Sequence, residues 1–259
     1  MVRHPPDHRG ALWALARVEG RRLVRHPLFG LGWVISTLIL VIFHGDSAYE
    51  YWNLLGAAVL FGGLATWTLL VSFLAVQRER RDRASDLYRA TALPAATRTA
   101  ARLLSLLWAA AATTGLFAAA WLAWIGLDGT IVVDRRSLRP GVFELAQAPL
   151  VVIAFGALGI ALGRWLPATG VGPPVILIIA YAASLALPWV VQRQIPDPSD
   201  GLHGHGGWNL AFLAGVTVAA SAAALWRDDR SRAVTLLGAL GLAIAAAGYV
   251  LGAPYTGGR

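Results

Sequence analysis

Seven long apolar blocks constrain this 259-residue chain more than any motif in it. They occupy 27–43, 53–76, 103–125, 145–162, 174–191, 208–225 and 233–251, and none contains a charged side chain. A helix needs about 20 apolar residues to cross about 30 Å of hydrocarbon, and all seven approach or reach that length. Together they take up more than half of the chain, which leaves no room for a large soluble domain. The expected fold is all-α: a polytopic membrane protein forming one transmembrane domain over 1–259. Six or seven helices cross in this reading, because the first block is short and the last is rich in Ala and Gly. Only 14% of residues are charged, against about 25% in soluble domains.

The charged residues set orientation and exclude chemistry. All 22 basic residues are Arg. Without Lys the chain cannot form a P-loop that grips nucleotide phosphates, nor a Schiff base with retinal or pyridoxal. Without Cys it has no disulfide, thiolate metal site or thiol nucleophile. Cytoplasmic segments retain positive charge. With the N-terminus inside, 17 of the 22 Arg fall on the inner side, among them Arg164, the runs at 78–102 and those at 227–232. Trp52, Trp124, Trp165, Trp208 and Trp226 then sit at span ends, where interfacial aromatics belong. The net charge of +8 reflects this asymmetry and contact with anionic lipid, not nucleic-acid binding. The Arg-rich start lacks the pattern of a cleavable signal peptide, so the first block is expected to stay as a membrane anchor.

Two inner segments stand out. Residues 11–25 predict an amphipathic helix lying in the membrane surface. Leu12, Trp13, Leu15, Ala16, Leu23 and Val24 share one face, and Arg17, Arg21 and Arg25 stripe the other. His26-Pro27 breaks that helix and turns the chain into the first span. Residues 77–102 form the longest inner connection, with mixed charge suited to a soluble partner. Ser85-Asp86 can start a turn there, Pro94 can end one and Thr97 can cap the next helix.

This arrangement resembles the ABC-2 type permeases, the membrane subunits of one class of ATP-binding-cassette exporters. Their pattern is an elbow helix before span one and a Glu-led cytoplasmic loop after span two. The loop runs through a Thr/Ser-acidic-Leu step to a Pro, then to a basic residue before span three. Glu79, Ser85-Asp86-Leu87, Leu93-Pro94, and Arg98 with Arg102 follow those steps in order. The resemblance covers residues 11–225, and the Arg-, Ala- and Leu-rich composition is similar to permeases of high-GC actinobacteria. It implies a permease that moves an amphipathic or hydrophobic substrate outward, paired with a second permease subunit and driven by a separate ATP-binding-cassette ATPase subunit. It also implies a coupling segment in which Glu79, Arg81, Asp86, Leu87, Pro94 and Arg98 meet the partner, beside the elbow helix with Trp13, Arg17, Arg21 and Arg25. The block at 233–251 departs from the usual six-span plan, and the second inner loop, 163–173, is short.

Other features carry less. Spans free of ionisable groups argue against a proton- or ion-coupled transporter, while a non-transporting accessory or sensor subunit and an ion-independent facilitator or channel share this polarity. Hydroxyl and amide residues inside the blocks are expected mostly to bond their own or neighbouring helices. Gly159 and Gly163 form a small-xxx-small step for close packing, within the chain or between two subunits. His203 and His205, like His44, Asp46 and Glu50, are read as solvated outer loops. No hydrolase, metalloprotease or dinucleotide motif occurs, so neither enzyme activity nor a cofactor is expected.

Overall fold

A computed structural model describes residues 8–42, 63–81, 94–128, 142–166, 178 and 206–251. Within them, regular structure is helical throughout: α1 (His8–Val24), α2 (Pro27–Ile42), α3 (Leu64–Arg81), α4 (Ala95–Asp128), α5 (Val142–Trp165), α6 (Gly206–Trp226) and α7 (Arg232–Leu251). Four are long and apolar enough to cross a membrane, over Ala95–Ala119, Ala146–Trp165, Gly207–Trp226 and Arg232–Leu251. The apolar stretch of α2, Pro27–Leu38, is shorter. The 53–62 part of the second block lies outside the described residues, as does the 174–191 block apart from Ile178.

Helix ends follow local chemistry. Gly63 precedes α3 at φ +100, a conformation that favours glycine, and its carbonyl accepts the Trp67 N–H at 2.5 Å. Pro94 precedes α4, and its carbonyl accepts the Arg98 N–H at 3.3 Å. The cap therefore falls at Pro94, and Thr97 lies inside the first turn. Ser231 caps α7, its hydroxyl accepting the Val234 N–H at 3.4 Å.

Helix directions are read from paired contacts. Gln147 of α5 accepts a hydrogen bond from Asn209 of α6 at 2.9 Å. At the opposite ends of the same helices Trp165 stacks on Trp226, with centroids 5.6 Å apart. α5 and α6 therefore run parallel. Glycines bring the backbones together: a Cβ on Gly159 would strike the Leu69 carbonyl, and one on Gly163 would lie 2.8 Å from Val76. That pair packs α5 parallel to α3 within the chain. α4 runs against both, with Leu106 over Gly156. α6 and α7 form an antiparallel hairpin in which a Cβ on Gly241 would sit 2.5 Å from the Ala219 nitrogen. Close backbone approach of this kind supplies van der Waals packing where lipid removes the hydrophobic drive between helices.

The core lies between α3, α4, α5 and α6, around Leu69, Phe73, Leu106, Val152, Ile160 and Leu213. α7 borders it on one side only. Gly241, Ala245 and Gly248 face α6, while Leu236, Leu240, Leu242 and Val250 are exposed. α1 packs on α4: Ala16, Gly20 and Leu23 are buried, and a Cβ on Gly20 would meet the Trp108 ring at 2.8 Å. The buried stripe of α1 thus includes Ala16 and Leu23 from the expected apolar face, whereas Trp13 from that face is 53% exposed.

Candidate functional site

Polar groups inside the helices are largely self-contained. Thr37, Thr68, Thr113, Thr114 and Thr217 each donate to the carbonyl four residues earlier. The concentrated polar chemistry is at one end of the bundle, where α3 ends, α4 begins, α5 ends and the α6–α7 turn passes.

Glu79, near the end of α3, faces two arginines one turn apart on α4. Its carboxylate lies 2.6 Å from Arg102 Nη1 and 3.2 Å from Arg98 Nη1. Spacing of i and i+4 puts both guanidinium groups on one face. These side chains are 8–13% exposed, so each charge is held mainly by its partner. Burial would raise the Glu79 pKa, but the charge and hydrogen bond of Arg102, with the charges of Arg164 and Arg98, outweigh it and bring it below the ordinary value.

A second pair adjoins the first. Arg164, at the end of α5, lies 3.2 Å from Asp228 in the α6–α7 turn. Thr99 bridges them: its hydroxyl accepts from Arg164 and donates to Asp228 at 2.5 Å. Since Thr99 follows Arg98 on α4, the two pairs form one cluster of three cations and two anions linking four chain segments. Gln77 completes the link from α3 to α5 by donating to the carbonyls of Gly163 and Leu166 at 3.3 and 3.2 Å. Around the rim, Arg227 lies 5.4 Å over the Trp165 ring and Arg230 lies 5.3 Å over Trp226.

Beside the cluster, a cavity of about 490 Å³ opens between the end of α1 and helices α3, α4 and α5. Leu23, Val71, Leu74 and Ile160 give it an apolar side; Arg22, His26, Gln77, Glu79 and Arg102 give it a polar one. His26 Nδ1 accepts the Leu28 N–H at 3.3 Å at the start of α2, and burial lowers the His26 pKa.

The residues expected to meet a partner are distributed unevenly. Glu79 and Arg98 come together, paired with each other instead of standing exposed. Pro94 is exposed just ahead of α4, and Arg81 is the last residue of α3. Arg17, Arg21 and Arg25 are exposed on or just beyond α1. Asp86 and Leu87 lie outside the described residues, as do His44, Asp46, Glu50, His203 and His205. The expected inner connection is also redrawn, because α3 takes in 77–81 and α4 takes in 95–102.

Thr99, Gln77, Arg164 and Asp228 were not singled out by sequence reasoning. Arg164 reads there only as an orientation marker. The visible signal was Glu79 at one span end facing Arg98 and Arg102 at the start of the next. No protein-family model matches this chain, and no curated protein or solved structure is significantly similar to it. The family expectation therefore rests on the sequence steps quoted above.

Proposed function

We propose that this chain is the permease subunit of an ABC-2 type exporter, passing an amphipathic substrate outward under the drive of a separate ATP-binding-cassette ATPase. In this reading it works beside a second permease subunit in a bacterial cell membrane, with seven crossings and the N-terminus cytoplasmic. Parallel α5 and α6 require an odd number of crossings between them, and the 174–191 block is the apolar stretch available for one. α1 serves as the elbow helix, with exposed Trp13, Arg17 and Arg21 toward the headgroups.

The observation that carries the reading is the charged cluster at the roots of the 82–93 connection. Glu79 precedes that connection and Arg98 follows it, and the cluster ties both to Arg164 and Asp228. A push on the connection is thereby passed to α3, α4, α5 and the α6–α7 turn as a unit, which is what a coupling segment driven by a partner requires. Arg81, Asp86 and Leu87 are the residues of that segment assigned to the partner's surface.

The test uses the full chain purified from its native membranes. It should bring an ATPase with it and hydrolyse no ATP once separated. Asp86→Arg should weaken that association without lowering membrane abundance, since it adds positive charge to the inner side and sets a basic group where the partner expects an acid. ATP hydrolysis by the isolated chain, or labelling of Asp229→Cys by an impermeant thiol reagent from outside, overturns the reading.

A further inference from the structure

We propose that the cavity between α1, α3, α4 and α5 binds the phosphate-bearing headgroup of an amphiphile whose apolar part rests against Leu23, Val71, Leu74 and Ile160. The inference concerns binding by this chain alone and stands whether or not the chain exports anything.

Three observations carry it. The first is shape and polarity. About 490 Å³ falls within the usual range for small-molecule sites, roughly 300–1,000 Å³, and the lining divides into an apolar side and a charged side. A purely soluble anion has no use for the first, and a bare hydrocarbon none for the second.

The second is the donor set. Arg22 is 67% exposed on its side chain and meets Glu19 only at 3.5 Å, so its guanidinium can turn to a ligand at small loss. His26 accepts through Nδ1, which leaves its proton on Nε2 as a donor. Arg102 gives one N–H to Glu79, and a guanidinium has five. Arg and His donors converging on one cavity suit the oxygens of a phosphate, which a guanidinium engages in fork geometry.

The third is a pair of buried polar atoms without partners. Ser72 and Gln77 both line the cavity and are 2% and 3% exposed. Ser72 Oγ and Gln77 Oε1 have no hydrogen-bond partner. The Gln77 amide orientation is fixed, because its nitrogen donates to two carbonyls, so the oxygen is the atom left over. Nor does Ser72 turn back onto its own helix as Thr68 does one turn earlier. Buried polar atoms are normally satisfied. An acceptor at Gln77 and a hydroxyl at Ser72 ask for a hydroxyl or amine on the ligand in addition to its phosphate. A phosphodiester headgroup bearing glycerol or ethanolamine supplies both.

The probes are dioctanoyl phosphatidylglycerol, dioctanoyl glycerol, and soluble glycerol 3-phosphate, titrated into the purified full chain in detergent with calorimetry and thermal shift as readouts. Phosphatidylglycerol should bind saturably, with dioctanoyl glycerol and glycerol 3-phosphate each weaker by about tenfold or more. Arg22→Gln should weaken phosphatidylglycerol binding by about tenfold, the loss of one charge-assisted hydrogen bond. Ser72→Val should weaken it further by blocking the cavity, and Arg227→Gln, at the same end but outside the cavity, should leave it unchanged. If Ser72→Val melts early, Arg22→Gln alone decides, since it changes an exposed side chain. Equal binding of glycerol 3-phosphate overturns the amphiphile assignment. Binding unaffected by Arg22→Gln, or no saturable binding at all, overturns the site.

Discussion

Replacing Glu79 with Gln keeps the size of the side chain and removes one of two anions from a cluster of three arginines. In the native protein Glu79 holds Arg102 at 2.6 Å and Arg98 at 3.2 Å, with all three side chains 8–13% exposed. Water therefore does little to replace the lost carboxylate. Breaking a buried ion pair from one side costs about 3–5 kcal/mol, mostly because the remaining charge is stranded. The cluster lies at a bundle end, where an arginine can extend its stem toward water, so the lower figure, about 3 kcal/mol, applies. For a chain of this length that corresponds to roughly 6–12 °C in Tm. The 11 Trp residues allow the transition to be followed by intrinsic fluorescence in detergent. Arg102→Gln alone should be similarly harmful, and the double variant should be less harmful than the sum of the two. The coupling should lie between about 0.5 and 3 kcal/mol. A Glu79→Gln protein melting within about 2 °C of the native one, with additive effects in the double variant, would refute the claim that this cluster binds the helix ends together.

Two glycines give opposite expectations in the same assay. Gly241→Val places its Cβ 2.5 Å from the Ala219 nitrogen and 2.9 Å from the Gly215 carbonyl, so α6 and α7 must separate, at a loss of about 1–3 kcal/mol; Gly115→Ala meets nothing within 4 Å and should gain about 0.5–1 kcal/mol. Acid should destabilise the fold in two steps, measured as Tm against pH. The folded pKa of His26 lies below its ordinary value of 6.5, so its contribution is complete above that pH and is lost as pH falls through the folded value; Glu79, lowered from 4.5, adds a second loss further down. His26→Gln should remove the first step and leave the second.

The apolar blocks themselves were legible because a membrane-crossing helix satisfies all its backbone groups within one segment. The 208–225 and 233–251 blocks correspond to Gly206–Trp226 and Arg232–Leu251, and 145–162 to Val142–Trp165. Hydropathy reports where a helix is apolar, not where it stops. Hence α4 begins eight residues before its block, at Ala95, through Arg98 and Arg102, whose charges are neutralised by a carboxylate on another helix.

What only the tertiary structure decided is which helix touches which. Gly159 and Gly163 announce a close approach in the sequence, and the fold supplies the partner, α3 of the same chain. Likewise the sequence by itself places Glu79, Arg98, Arg102 and Arg164 outside the apolar blocks, because charge is costly in hydrocarbon. It does not determine that they meet, since Arg164 and Asp228 are separated from Glu79 by 85 and 149 positions. Local pattern carries no information about contacts over such distances. They depend on the parallel run of α3 and α5 and the return of α6 to the same end, and Thr99 acquires its bridging role only in that arrangement.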